Sequence, residues 1–199
     1  LVEAYLGGQA VGQAIVNILY GMVNPSGKLA ETFPIKLEDN PSYLNFGDGD
    51  KVEYNEGVFV GYRYYDKKKM DVAFPFGYGL SYTTFSFENL RLSASEIHRD
   101  ESLEVLLDVT NTGGRAGATV AQIYVDDHYT SVVRPIMELK GFQRVELEAG
   151  ETKTLRFTLG FDELRLLDAS YHWVVEPGDF TVLAGANAGD LPLKADFRV

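Results

Sequence analysis

The chain contains no cysteine, which excludes disulfide staples and thiolate metal sites. The redox compartment stays open on that account, because a cysteine-free chain folds equally well inside or outside a cell. Positive charge is scarce as well. Lys and Arg number 18 against 29 Asp and Glu, a net charge of −11. Phosphate recognition needs clustered cations, so no nucleic-acid partner is expected. The one basic run, Lys67-Lys68-Lys69, reads as a solvated turn. No apolar run approaches the roughly 20 residues of a membrane span, and no charged-then-apolar leader opens the chain, so no membrane partner is expected.

What is present divides into three textures. "LVEAYLGG" (residues 1–8) reads as a buried strand broken by Gly7-Gly8, and an apolar start of this kind suggests a piece of a larger polypeptide. The next stretch carries apolar residues at Val11, Ala14, Ile15, Ile18, Leu19 and Met22, the spacing of an amphipathic helix. Pro25 cannot continue that helix, and Gly27 is expected to turn the chain with positive φ before Phe33-Pro34 fixes the exit. Residues 35–85 are rich in Tyr, Phe, Gly and Asp, and read as an ordered connector in which only "VFVGYRYY" looks strand-like. From Ser86 onward, seven strand candidates alternate with the turn-forming "NTGG", "EAGE", "EPGD" and "NAGD". Alternation is clear at Leu103, Val105, Leu107 and Val109, and at Leu155, Phe157 and Leu159. The pattern describes an immunoglobulin- or fibronectin type III-like sandwich, with the single tryptophan, Trp173, as a core aromatic. The fold class is therefore mixed: the strand–helix end of an α/β-sandwich domain (1–34), a connector (35–85) and an all-β sandwich (86–199).

Six stretches in order carry a family resemblance: "GGQAVGQAIVNILYGMVNPSGKLAETFP", "YNEGVFVGYRYYD", "FPFGYGLSYTTF", "VTNTGGRAGATVAQIYV", "RPIMELKGFQRVELEAGETKTLRFTL" and "WVVEPGDFTVLAGA". Together they resemble the C-terminal third of the β-glucosidases of glycoside hydrolase family 3. Ala30 stands where the family commonly has proline, and "GQAVG" where it has "GQEAG". The resemblance implies a retaining enzyme with an aspartate nucleophile on a (β/α) barrel and a glutamate acid/base on the α/β-sandwich domain. Such a pair must sit roughly 5 Å apart. Both residues would precede Leu1, so no catalytic residue and no cofactor is expected here, and the chain alone should be inactive. Its partners would be the upstream domains and, through them, a β-glucoside or oligosaccharide; a homo-oligomer is compatible with all of this.

Other candidates are weighed against plainer readings. Asp48, Asp50, Glu53, Asn55 and Glu56 cluster like a Ca²⁺ loop, but lack EF-hand spacing and read better as a solvated turn. Glu56 is expected to head a strand and pair with Arg63 or with an upstream domain. Tyr43, Tyr54, Tyr62, Tyr64 and Tyr65 suit a domain interface better than sugar stacking. In "YVDDHYTSVVRP", Asp126, Asp127, His128 and Tyr129 sit at a loop tip, where Asp127, His128 and Tyr129 could rim a substrate subsite. An ordinary inter-strand loop is the plainer account. His98 and His172 lack a second ligand at zinc spacing. "GQAVGQA" misses the phosphate-loop pattern and reads as close helix–sheet packing. The competing function is a non-catalytic carbohydrate-binding or adhesive sandwich module.

Overall fold

A computed structural model describes residues 1–47 and 49–199. Helix α1 (Val11–Leu19) follows an irregular, exposed opening segment. The strand expected over residues 1–8 is not formed, because no strand pairs with that segment among the described residues. A strand alone leaves its backbone groups without ladder partners. Strand β1 (Phe33–Pro34) pairs across the connector with β2 (Val72–Phe74), and helix α2 (Tyr62–Lys68) lies between them in sequence.

The helix α2 replaces the expected strand in "VFVGYRYY". Gly61 holds φ at 59°, which breaks the extended run. Tyr62 and Tyr65 are both buried. Three residues apart, they would face opposite sides of a strand but share one face of a helix.

The sandwich has two antiparallel sheets. Strands β3 (Phe85–Leu92), β4 (Leu103–Asn111), β5 (Gly117–Asp127), β6 (Glu138–Leu147) and β7 (Thr152–Leu159) follow in order. A short helix α3 (Phe161–Leu164) then leads to the hairpin β8 (Leu166–Leu167) and β9 (Trp173–Val174), and to β10 (Asp179–Gly185) and β11 (Leu193–Arg198). One sheet runs β3-β4-β7 and the other β11-β10-β5-β6. Leu103, Val105, Leu107 and Val109 are fully buried against Ile123, Val125, Phe180 and Val182 of the facing sheet. The seven-strand sandwich is as its alternation predicts. Trp173 is the exception. It pairs with Leu167 on the outward side of the hairpin and is 54% exposed, whereas Leu166 on the inward side is buried.

Strand β5 is buried on both faces, so its text is not alternating. Its outer face lies under the connector. Tyr62 stacks on Phe76 at 5.1 Å and meets Tyr124 edge-on at 5.7 Å, while its hydroxyl accepts the Leu139 N–H at 2.9 Å. Gln122 donates to the carbonyls of Ala186 (2.9 Å) and Gly77 (3.3 Å), and accepts from the Tyr124 hydroxyl at 2.7 Å.

The helix end is sewn to the sandwich through Asn24. Its amide donates to the Ala116 carbonyl at 3.0 Å and accepts from the Ser81 hydroxyl and the Tyr82 N–H, both at 2.8 Å. Arg115 adds a bond to the Gly21 carbonyl, and the Tyr82 hydroxyl one to Ile18. Gly27 does not take the positive φ expected of it, and a Cβ there would meet open space. The steric demand sits at Gly77 instead, where φ is +81° and a Cβ would lie 2.3 Å from the Gln122 amide. Gly77→Val should therefore lower Tm by several degrees, in line with a loss of about 2 kcal/mol or more, while Gly27→Val should leave it nearly unchanged. Calorimetry on the two variants decides, and equal losses would contradict this assignment.

Candidate functional site

Asp126 and Asp127 are not at a loop tip as expected but end β5, paired with Thr181 and Phe180 of β10; His128 and Tyr129 open the loop that follows, and the three rim residues have different surroundings. The Tyr129 ring is exposed. His128 is engaged: its Nε2 lies 2.9 Å from the Thr181 hydroxyl, which donates to Asp196 at 2.7 Å. Asp127 is turned inward. Both of its carboxylate oxygens are buried, and neither has a hydrogen-bond partner among the described residues.

Beneath the loop lies an ionic cluster that single-sequence reasoning did not assemble. Arg134 approaches Asp127 at 3.7 Å and pairs with Glu138, which is also 3.3 Å from Lys140 and 3.3 Å from Arg63 of α2. The only sequence signal was the i, i+4 spacing of Arg134 and Glu138 in "RPIMELK". Asp127, Arg134, Glu138 and Lys140, with Glu163 and Leu164, line a cavity of about 10 Å³. Burial pushes the Asp127 carboxyl up to about 6, with Arg134 pulling it back and Glu176 adding to the rise. Asp126 is raised by burial too, against His128 and Lys194. Burial also raises Glu138, but Lys140, Arg134 and Arg63 outweigh it and hold that carboxylate below its usual range. Lys140 is lowered by burial. The arrangement can hold charge and fix the loop. It pairs each carboxylate with cations rather than with a second carboxylate, so it is not an acid–nucleophile pair.

The remaining candidates scatter. Arg63 pairs with Glu138 rather than with Glu56, because α2 turns it toward β6. One carboxylate oxygen of Glu56 is buried without a partner among the described residues. Tyr62 and Tyr65 are buried, as an interface requires, whereas Tyr43 and Tyr54 are exposed. Asp48 of the acidic turn lies outside the described residues, and among the rest no three His, Asp or Glu converge as a metal site. The His98 and His172 side chains are both exposed.

Comparison with known proteins matches these elements. A model of the glycosyl hydrolase family 3 C-terminal domain matches residues 1–82, and one of the fibronectin type III-like domain matches residues 119–188. The thermostable beta-glucosidase B of Acetivibrio thermocellus is 49% identical over the whole chain. The chain belongs to glycoside hydrolase family 3, in its C-terminal portion. A beta-glucosidase of Kluyveromyces marxianus is 44% identical, again over the whole chain. The chain spans 27% and 24% of these two relatives, about a quarter of their length. Among solved structures, a family 3 beta-glucosidase of Bifidobacterium adolescentis superposes with a TM-score of 0.91 at 39% identity, covering 99% of this chain and 29% of that one. The beta-glucosidase of Kluyveromyces marxianus in complex with glucose gives 0.86 at 42% identity, covering 95% and 22%.

A folded acid with a raised pKa favours the neutral form. The contribution of Asp127 to stability is therefore full below about pH 4 and lost as pH rises toward 6. Asp127→Asn should flatten the Tm–pH profile across that window and match or exceed the parent Tm at pH 7. A variant less stable than the parent at pH 7 would show that the ionised carboxylate is the stabilising form.

Proposed function

We propose that the chain is the supporting C-terminal part of a retaining β-glycosidase, a β-glucosidase that releases terminal non-reducing β-D-glucose. The observation that carries this is the 49% identity to a protein named a β-glucosidase across the entire chain. Nucleophile and acid/base belong to upstream domains, about 5 Å apart as retention requires. The proposed division is the α/β-sandwich end at 1–34, the connector at 35–85 and the sandwich at 86–199.

In this reading the apolar residues left on the surface of the first half are a seat for the catalytic domains. Helix α1 has no buried residue, and Leu19, Leu37, Leu44 and Phe46 are exposed. Tyr129 is the rim residue placed to meet a sugar beyond the cleaved bond. Asp127 and His128 act by holding its loop. A free-standing binding module would have no use for an apolar helix face, which favours the enzyme reading.

The full-length protein should hydrolyse aryl β-glucosides, and the 199-residue chain alone should not. Inactivity of the full-length protein on glucosides, xylosides and arabinosides alike would sink the reading. Tyr129→Ala should raise KM for gluco-oligosaccharides about fivefold and leave aryl-glucoside turnover unchanged. An unchanged KM removes the rim role.

A further inference from the structure

The outward side of the β8–β9 hairpin is an aromatic platform that the function above does not use. Trp173 is 54% exposed, Tyr171 83%, Phe161 41% and Leu167 39%. Arg165 locks the platform. Its guanidinium lies 4.5 Å from the centre of the Trp173 ring and 6.0 Å from that of Phe161, and its charge is matched by Asp162 at 3.0 Å. One face of the indole is thus backed by a cation, and the side chain is held in a single orientation.

The hairpin tip is held by its own turn hydrogen bonds. Asp168 organises it by accepting the N–H groups of Ser170 and His172, each at 2.8 Å. Tyr171 sits there with φ at 62°, in the left-handed region where Gly or Asn is the favoured residue. Its ring is almost wholly in water, so no burial offsets that conformation. The Asp168 carbonyl accepts the Tyr171 N–H at 3.0 Å, so Tyr171 closes the hairpin turn at the position that takes the left-handed conformation, and its ring is left exposed there.

Size and charge narrow the occupant. Four apolar side chains are far fewer than the roughly 20–30 residues a side of a stable protein interface. The net charge of −11 and the internally matched Arg165 disfavour anionic partners. What fits is a neutral ligand with a flat apolar face and hydroxyl edges. Asp162, His172 and the Tyr171 hydroxyl stand ready at the margin as hydrogen-bonding groups. We propose that Trp173, Tyr171 and Phe161 form a binding surface for pyranose rings of a β-glucan chain; the choice of β-glucan rests on the β-glucosidase reading.

The test uses the full-length protein, native affinity electrophoresis in gels containing hydroxyethyl cellulose, and aryl-glucoside turnover as the control. Trp173→Ala should lower the apparent affinity for the polymer about fivefold or more at unchanged turnover. Tyr171→Asn should lower it as well, while matching or raising Tm because Asn accepts the left-handed conformation. Polymer retention unchanged in both variants overturns the proposal, even if the enzyme is fully active. So does a dimer that Trp173→Ala dissolves in sedimentation, or a Trp173 that resists N-bromosuccinimide in the full-length protein, since either shows another occupant. An inactive full-length protein that still binds the polymer through Trp173 would instead sink the enzyme reading and leave the surface standing.

Discussion

The structure depends on strand β5 being covered on both faces. Its inward residues Ala121, Ile123 and Val125 complete the sandwich core, while Gln122 and Tyr124 look outward under the connector. A buried glutamine amide is tolerable only when its donors and acceptor are met, and the carbonyls of Gly77 and Ala186 and the hydroxyl of Tyr124 meet them. The connector is thus a third layer of the sandwich. Strip it away, and Tyr124, Leu183 and Leu191 become an apolar patch, while the Gln122 amide loses the Gly77 carbonyl.

The other sheet has the opposite character. Its outer face carries Asp108, which accepts a two-pronged bond from Arg91 at 3.0 Å and a third from Thr154 at 2.6 Å. These bonds hold the Asp108 carboxylate well below the usual range. Arg156 and Glu104 continue the row across strands. Exposed pairs of this kind contribute little to stability, because water screens them. Their effect is to keep the outer face of this sheet polar.

Much of this was legible in the sequence, for physical reasons that also explain the failures. Strands with one wet face alternate, so β4 and β7 could be read directly from Leu103 to Val109 and from Leu155 to Leu159. Strand β5 was found by its turn-bounded apolar run, but nothing local said what covered its second face. Helix α2 was misread because tertiary burial of Tyr62 and Tyr65 overrode the β propensity of aromatic residues. Trp173 was misplaced for a related reason. Hydrophobicity alone cannot say on which side of a two-residue strand a ring will project, and the Leu167 register decides it. The charged cluster of Asp127, Arg134, Glu138, Lys140 and Arg63 joins residues from three elements and has no sequence signature beyond one i, i+4 pair.

Asn24 changes where the molecule can be divided. One side-chain amide ties the end of α1 to the Ala116 carbonyl 92 residues away and to Ser81 and Tyr82, at separations of 57 and 58 residues. The tract "NPSG" looks like a hinge in the sequence, yet its first residue is a rivet. Recombination or grafting that joins foreign chain at residue 34 or 85 would carry the sandwich off without the group that closes its upper end. The smallest transplantable module therefore begins ahead of Ile18, inside the helix that sequence alone assigns to a different domain.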